Sequence, residues 1–262
     1  MKAERRDDSI ILTIPLSEIP LIEKSTLKSQ GCLFVDQAKT FQNFVVTPSN
    51  KFISSLGNKI EIITELPMYI HGNSGSGKSH LVHAIANVEI SRGKNVFLTS
   101  VNYLVPSIID KIRNNQPYLW TTVCAEYDML IIDDIQEFKN KTTTQETILN
   151  MMNGFKEAKK PVIVTSTIPA IQLSGFHDSL VGLLNGSIHL QINAPDYESR
   201  IAILKTKAKE REFKLYDDVI EYLAKRETSN IRELEGFIIK LHAVSVILGI
   251  TIDIENAKEH LN

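Results

Sequence analysis

Short apolar runs, rich in β-branched residues, alternate with longer amphipathic stretches through the middle of the chain. This alternation is typical of a parallel β-sheet flanked by helices. Strands of such a sheet are buried on both faces, so they are continuously apolar. The pattern predicts five strands, at residues 68–71, 95–98, 129–132, 162–165 and 188–192, and therefore an α/β domain.

The pattern changes after residue 195. Residues 196–262 have helical periodicity, which predicts helices at 197–213, 217–227, 230–248 and 252–261. Ser229 precedes the third helix, and Gly249 stands where a helix end favours a left-handed residue. We predict an N-terminal extension at 1–39 with a short strand at 10–14, an α/β domain at 40–195, and a small all-α domain at 196–262.

Composition narrows the class of protein. The chain is 43% hydrophobic and 23% charged, which excludes a disordered, collagen-like or coiled-coil protein. The net charge of −2 lacks the basic excess of a dedicated duplex-DNA binder. Cys32 and Cys124 lie far apart without metal-ligand spacing, so neither a disulfide framework nor a zinc site is expected. No apolar run suits a membrane span and the N-terminus is unlike a signal peptide, so we expect a cytoplasmic protein without a membrane partner.

One octapeptide carries the strongest chemical signal. Between a predicted strand and a helical run stands Gly72-Asn73-Ser74-Gly75-Ser76-Gly77-Lys78-Ser79. It matches the phosphate-binding pattern G-x-x-x-x-G-K-[ST], in which glycines let backbone N–H groups surround phosphate oxygens. Lys78 can reach the β- and γ-phosphates, and the Ser79 hydroxyl can ligate Mg²⁺. The motif predicts bound ATP or ADP with Mg²⁺.

Two carboxylates follow the apolar run 129–132. Asp133 and Asp134 stand at the carboxyl end of a predicted strand, where ligands gather in open α/β sheets. We predict that Asp133 holds Mg²⁺ through water, and that Asp134 orients or deprotonates the attacking water. A solvated turn or a helix cap is the alternative, which the upstream octapeptide disfavours.

Three hydroxyl residues and one arginine are further candidates. Thr165, Ser166 and Thr167 end a predicted strand and could place a hydroxyl near the γ-phosphate, although an ordinary turn explains them equally well. Arg232 lies near the start of a helix, where the helix dipole disfavours a cation. An anion could face Arg232, although pairing with Glu233, Glu235 or solvent is normally the favoured explanation.

Four strings follow one another between residues 40 and 262. They are TFQNFVV at 40–46 with SN at 49–50, GKSHLVHA at 77–84, IDDIQ at 132–136 and SNIRELEG at 229–236. Together they resemble AAA+ ATPases of the DnaA type. The resemblance implies a P-loop AAA+ domain followed by a helical lid, with a nucleotide at their junction near Val45, Val46 and His80. It makes Arg232 the lid arginine that senses the γ-phosphate, and it implies a homo-oligomer whose assembly follows the nucleotide.

The chain departs from that family in the residues that complete catalysis. The resemblance places a trans-acting arginine within residues 179–186, where Leu183 is nearest to its position. No arginine occurs between Arg113 and Arg200. Because such an arginine contributes about 10³ to 10⁵ in rate, we expect slow ATP turnover. The initiators also carry a duplex-DNA-binding domain after the lid, and since this sequence ends at Asn262, origin-box recognition is not expected.

The single-stranded-DNA contacts of the family are only partly present. The loop at 138–144 keeps Lys139 and Lys141, but Thr143 stands where a basic residue is usual. Lys111 and Arg113 lie in the second region that the resemblance assigns to DNA. Scattered lysines are usually a solvated face, so we expect at most weak binding of single-stranded DNA.

Length and the missing domain make the chain similar to Hda-like proteins, compact relatives that dock on the sliding clamp and stimulate ATP hydrolysis by the DnaA initiator. The residues Leu12, Ile14 and Leu16 faintly resemble the peptide by which those proteins bind the clamp, although Ile11 stands in place of the usual glutamine. An edge strand is the favoured alternative for this short apolar stretch. Three functions stay open. They are a regulator of replication initiation, a DnaC-like loader whose residues 1–39 grip the replicative helicase, and a non-hydrolysing nucleotide-bound adaptor.

Overall fold

The computed structural model describes residues 4–6, 9–11, 31–46, 50–51, 55, 64–115, 120–226 and 230–261. In chain order the strands are β1 (Glu4–Arg6), β2 (Ser9–Ile11), β3 (Met68–His71), β4 (Val96–Thr99), β5 (Met129–Ile132), β6 (Val162–Ser166) and β7 (Ile188–Gln191). Strands β1 and β2 form an antiparallel pair. The predicted strand at 10–14 overlaps β2 at residues 10–11, and its remainder lies outside the described residues. The five predicted strands of the α/β domain are confirmed, each to within one residue at either end.

The central sheet is parallel and has the strand order β4-β5-β6-β3-β7. Strand β6 lies between β3 and β5, so the carboxyl ends of these three strands meet at one edge of the sheet. Strands β4, β5 and β6 are fully buried, whereas β7 at the sheet edge alternates between partly buried and exposed residues. The polar residues that follow β3, β5 and β6 are therefore brought together.

Helices cover both faces of the sheet. They are α1 (Lys78–Ser91), α2 (Val101–Arg113), α3 (Trp120–Glu126), α4 (Thr142–Glu157) and α5 (Asp178–Asn185). Successive strand residues point to opposite faces, so Ile70 packs with Leu81 and Ile85 of α1 while Tyr69 packs on the side of α4 and α5. The result is the three-layer α/β domain that the sequence predicts.

Residues 196–261 form a separate helical layer with its own apolar cluster. Its helices are α6 (Tyr197–Glu210), α7 (Asp217–Lys225), α8 (Ile231–Leu248) and α9 (Ile254–Leu261). The predicted helices extend one to three residues too far at one end, because capping residues were counted as helical. Asn230, not Ser229, is the N-cap of α8, and its side chain accepts a hydrogen bond from the Arg232 N–H at 2.9 Å. Gly249 ends α8 with φ +66°, as predicted.

The stretch before the α/β domain is attached to it. The Leu33 N–H donates to the Leu98 carbonyl at 2.6 Å, and the Thr99 hydroxyl donates to the Gly31 carbonyl at 2.6 Å. The Asp36 N–H donates to Nδ1 of His83 on α1 at 3.0 Å. Residues 31–39 thus pack on β4 and α1, while the boundary at residue 39 stays a prediction. Within the described ranges, no helix combines the length and apolarity needed to cross a membrane.

Candidate functional site

A cavity of about 320 Å³ lies between the carboxyl edge of the sheet and the first turns of α8. This volume is in the range of small-ligand pockets. Its walls come from the octapeptide loop after β3, the segment that precedes β3, the residues that follow β5, β6 and β7, and the lid helices α6 and α8. The cavity therefore joins the α/β domain to the helical layer.

The loop between β3 and α1 curls because two of its glycines adopt left-handed backbone angles. Gly75 has φ +74° and Gly77 has φ +97°, a region that side chains with a Cβ rarely enter. Helix α1 begins directly afterwards, so its first N–H groups face the loop. Ser76 Oγ is buried in this loop and has no hydrogen-bond partner among the described residues. A buried hydroxyl without a partner fits a loop that receives a ligand oxygen.

Lys78 lies at the centre of this loop. Its Nζ donates to the carbonyls of Gly72 at 2.7 Å and Asn73 at 2.9 Å, and the residue is 5% exposed. Burial lowers the pKa of Lys78, and the carboxylates of Asp133 and Asp134 oppose that shift. Gly72 and Asn73 thus hold the ammonium and do not line the cavity themselves.

Asp133 and Ser79, the two residues predicted to hold Mg²⁺, are close enough for the Ser79 side chain to affect the pKa of the Asp133 carboxyl. The Asp133 carboxylate also accepts the Thr165 hydroxyl at 2.6 Å, and the residue is 7% exposed. Burial raises the pKa of Asp133, and the hydrogen bonds from Thr165 and Ser79 oppose the rise. A carboxylate and a hydroxyl at one point are oxygen donors of the type that Mg²⁺ prefers.

Asp134 lines the cavity from a left-handed backbone position, with φ +56° and ψ +58°. Its N–H donates to the Thr165 hydroxyl at 2.8 Å, and its carboxylate accepts Nε2 of Gln136 at 3.1 Å. Gln136 Oε1 in turn accepts the Thr167 N–H at 3.1 Å. Non-glycine residues held in this conformation cluster at functional sites. Gln136, for which no role is predicted from sequence, joins the Asp134 carboxylate to the backbone just after β6.

The three hydroxyl residues at the end of β6 have different surroundings. Thr165 is fully buried and binds the acidic pair, and the Ser166 hydroxyl accepts the Ile168 N–H at 3.2 Å. Only Thr167 among the three lines the cavity. The prediction of a hydroxyl facing a ligand therefore narrows to Thr167.

The first turn of α8 touches the loop. The Ile231 N–H donates to the Gly75 carbonyl at 2.9 Å, and Arg232 Nη1 lies 3.3 Å from the Ser74 hydroxyl. The side chain of Asn230 occupies the position that a Cβ on Gly75 would take. Arg232 lines the cavity. The lid thus contacts the loop through its backbone and presents a cation beside it.

The segment before β3 forms the opposite wall. Val45 lines the cavity, whereas Val46 is 55% exposed and lies outside it. His80 Nε2 lies 3.1 Å from both the Thr40 carbonyl and Asn43 Oδ1, and its ring packs against Phe44. Burial lowers the pKa of His80. The neutral imidazole therefore attaches this segment to the start of α1.

Sequence reasoning missed several wall residues. They are Lys39, Asn43, Phe44, Asn50, Gln136, Glu137, Ile192, Asn193, Pro195, Ile203, Lys207, Ile231 and Glu235. Asn43, Phe44, Asn50, Gln136, Ile231 and Glu235 belong to strings that carry the family resemblance, which is a usable signal. Ile203 and Lys207 on α6 reach the cavity only because α6 and α8 pack together, and no local pattern indicates that.

Other predicted residues lie away from the cavity. Leu183 on α5 is partly buried against the apolar core. Lys139 and Arg113 are exposed, and Lys111 and Lys141 are partly exposed. The predicted partner peptide with Leu12, Ile14 and Leu16 lies outside the described residues.

Four features define the class of protein: a phosphate-type loop after β3, acids after β5, a polar residue after β6 and a helical lid. Together they are the parts of a P-loop ATPase domain of the AAA+ class, as predicted. Residues 35–191 match the family model described as the bacterial DnaA ATPase domain. The chain belongs to this family, which confirms the resemblance.

Relatives and solved structures agree with this assignment. The chromosomal replication initiator protein DnaA of Clavibacter michiganensis subsp. michiganensis is 33% identical over 257 residues, covering 92% of this chain and 54% of that protein. The DnaA of Sulfurimonas denitrificans is 32% identical over 259 residues, covering 97% of this chain and 59% of that protein. The chain thus spans about half the length of the curated relatives it matches.

Domain III of the Thermotoga maritima replication initiation protein DnaA superposes with a TM-score of 0.81 at 25% identity, covering 87% of this chain and 98% of that chain. A DnaA initiator bound to AMPPCP and single-stranded DNA gives a TM-score of 0.73 at 28% identity, covering 83% of this chain and 67% of that chain. The Thermotoga maritima RuvB branch-migration motor, at 17% identity and a TM-score of 0.63, shares the fold alone.

Proposed function

We propose that this chain binds ATP or ADP with Mg²⁺ in the cavity, hydrolyses ATP slowly, and acts in the initiation of DNA replication or in its regulation. The observation that carries the proposal is the meeting of Lys78, Asp134 and Arg232 at one cavity, with the Asp133 charge near Lys78, in a member of the DnaA family. The solved DnaA structures bound to AMPPCP support the nucleotide.

The loop residues bind the phosphates in this proposal. Lys78 exchanges the carbonyls of Gly72 and Asn73 for phosphate oxygens, which are stronger acceptors for an ammonium. The Ser76 hydroxyl donates to a phosphate oxygen and so gains the partner that it lacks among the described residues. Ser79 and Asp133 hold Mg²⁺, which neutralises phosphate charge when bound.

The acidic pair and the lid then have separate tasks. Asp134 orients the attacking water or accepts its proton; Thr165 holds its backbone N–H and Gln136 holds its carboxylate for that purpose. Thr167 lies on the same wall and contributes a hydroxyl. Arg232 binds the γ-phosphate and so distinguishes ATP from ADP, because its guanidinium extends from the lid turn that contacts the loop.

Slow ATP turnover is proposed from the residues in and around α5. The sequence has no arginine between Arg113 and Arg200, and Leu183 packs into the core instead of projecting outward. A neighbouring copy of this chain would therefore bring no arginine from this stretch. This observation also favours a second candidate function, that of an adaptor which holds nucleotide without hydrolysing it. In both cases a partner protein is needed for the function that follows nucleotide binding.

Partners are proposed from the family. The DnaA initiator, the sliding clamp and the replicative helicase are the candidates, the last of them in a DnaC-like loading role. Lys139, Lys141, Lys111 and Arg113 offer scattered positive charge for weak contact with single-stranded DNA. The DnaA structure that contains single-stranded DNA supports this contact. A homo-oligomer remains part of the proposal.

ATP turnover measured across a wide range of protein concentration tests the proposal, with the Asp134→Ala variant as the blank. We expect a low rate per molecule that does not change with concentration, because no copy supplies an arginine. Single-stranded DNA, initiator, clamp and helicase are then added in turn, and a rise with one of them identifies the partner. A rate that climbs steeply with concentration alone would contradict the slow-turnover proposal and indicate a self-assembling ATPase.

Gly75→Ala is expected to lower ATP affinity about tenfold, the effect of losing one strong hydrogen bond. The added Cβ collides with the Asn230 side chain and separates the lid turn from the loop. Gly93→Ala is a matched control, because Gly93 also has a left-handed φ, +81°, but a Cβ there meets no described atom within 4 Å. An alanine is strained to a similar degree at both positions, because both have a left-handed φ. Equal ATP affinities in a calorimetric titration would contradict the role given to the lid contact.

A further inference from the structure

Helices α6 and α8 are joined by a charged contact that faces the cavity. Lys207 Nζ on α6 lies 3.0 Å from Glu235 Oε1 on α8, and 3.1 Å from Glu210 Oε2. The Lys207 side chain is 17% exposed, and both Lys207 and Glu235 line the cavity. Burial alone would lower the pKa of Lys207, but the two carboxylates raise it above its usual value. The ammonium therefore stays charged within the wall of the site.

Glu235 stands one helical turn after Arg232. Residues three apart share a helix face, so a group that holds Glu235 also sets the direction of Arg232. Leu204, Leu234 and Ile238 join α6 and α8 in one apolar cluster. Apolar packing is non-directional, whereas an ion pair between two helices favours one rotation of a helix. Such pairs are weak sources of stability and better suited to specifying an arrangement.

We propose that Lys207 is a positioning residue of the lid, which holds Glu235 so that the first turn of α8 keeps Arg232 directed at the γ-phosphate. This inference rests on the proposed nucleotide function. Lys207 acts through Glu235 and need not touch the nucleotide. Loss of the pair should weaken ATP binding more than ADP binding, because the loop contacts of Lys78 and Ser79 are common to both nucleotides.

Lys207→Met tests the inference by removing the ammonium while keeping the length of the side chain. We expect the ratio of ATP affinity to ADP affinity to fall about three- to tenfold, the range typical of residues coupled through one network. Lys205→Met is the matched control. Lys205 lies on the same helix, is half exposed, pairs with Asp217 at 2.8 Å and does not line the cavity. Its ratio should equal that of the unaltered chain.

Further variants separate positioning from a purely structural role. Glu235→Gln should reproduce the fall, and it carries the test if Lys207→Met does not fold; Lys207→Arg should restore the ratio. In Arg232→Ala, adding Lys207→Met should cause no second fall, because the arginine through which Lys207 acts is gone. A merely structural role would lower both affinities equally.

The inference is overturned if both Lys207→Met and Glu235→Gln keep the original ratio, or if the Lys207 and Arg232 effects multiply. A chain that binds neither ATP nor ADP before any substitution would overturn the proposed function itself, and the two failures are therefore distinguishable.

Discussion

Replacing Lys78 with alanine is expected to lower the affinity for both ATP and ADP by about 100-fold or more. The ammonium is the one charge at the centre of the loop, and hydrogen bonds to charged groups are worth about 1.5–3 kcal/mol each. One such loss near the upper value corresponds to about two orders of magnitude in affinity. The carbonyls of Gly72 and Asn73 also lose the donor that shapes the loop.

Thermal unfolding with and without nucleotide measures this effect directly. A ligand that binds only the folded state stabilises it by RT ln(1 + [L]/Kd), so the rise in unfolding temperature at a given ATP concentration depends on the affinity. The unaltered chain should therefore gain stability with ATP, and Lys78→Ala should gain far less at the same ATP concentration while remaining folded. Lys94→Ala, at an exposed lysine just after α1, is the control and should respond like the unaltered chain. Unchanged nucleotide affinity in Lys78→Ala would overturn the phosphate-loop assignment.

The parts of the site that sequence could predict are those whose chemistry is local. The loop is eight consecutive residues, so its pattern, its left-handed glycines and its lysine could be recognised without any knowledge of packing. The strands could be placed to within one residue because burial on both faces makes them continuously apolar. Asp133 and Asp134 could be found because they follow such a strand directly.

The residues that sequence could not predict act through packing. Gln136 joins the Asp134 turn to Thr167 across two strands, and nothing in its neighbourhood along the chain indicates that contact. Lys207 and Glu235 are ordinary charges on helical faces until α6 and α8 come together. The family resemblance places both Val45 and Val46 near the nucleotide, yet only Val45 lines the cavity. The predicted lid helices run too far at one end because the residues at a helix end do not differ enough in polarity from those of the adjoining turn to mark the boundary.

Lowering the pH from 7.5 to 5.0 is expected to cost the folded protein about 2 kcal/mol at His83. His83 is 5% exposed, and its Nδ1 accepts the Asp36 N–H at 3.0 Å, so the folded state requires a neutral ring. Burial first, and the positive charge of Lys39 next, lower the pKa of His83 to about 4 against the opposing charge of Asp36. In the unfolded chain the pKa of a histidine is about 6.5. The stabilisation is therefore complete above that value and is lost as the pH falls towards 4.

Urea unfolding at the two pH values checks this, with His83→Asn as the matched variant. An asparagine amide oxygen can accept the same N–H but does not titrate, so His83→Asn should lose about 2 kcal/mol less than the unaltered chain. His80, whose pKa is also lowered by burial, contributes equally to both proteins and cancels in the difference. Equal losses in the two proteins would contradict the assignment. Because Asn43 and Phe44 of the same segment line the cavity, nucleotide affinity should fall with acid in the unaltered chain and less so in the variant.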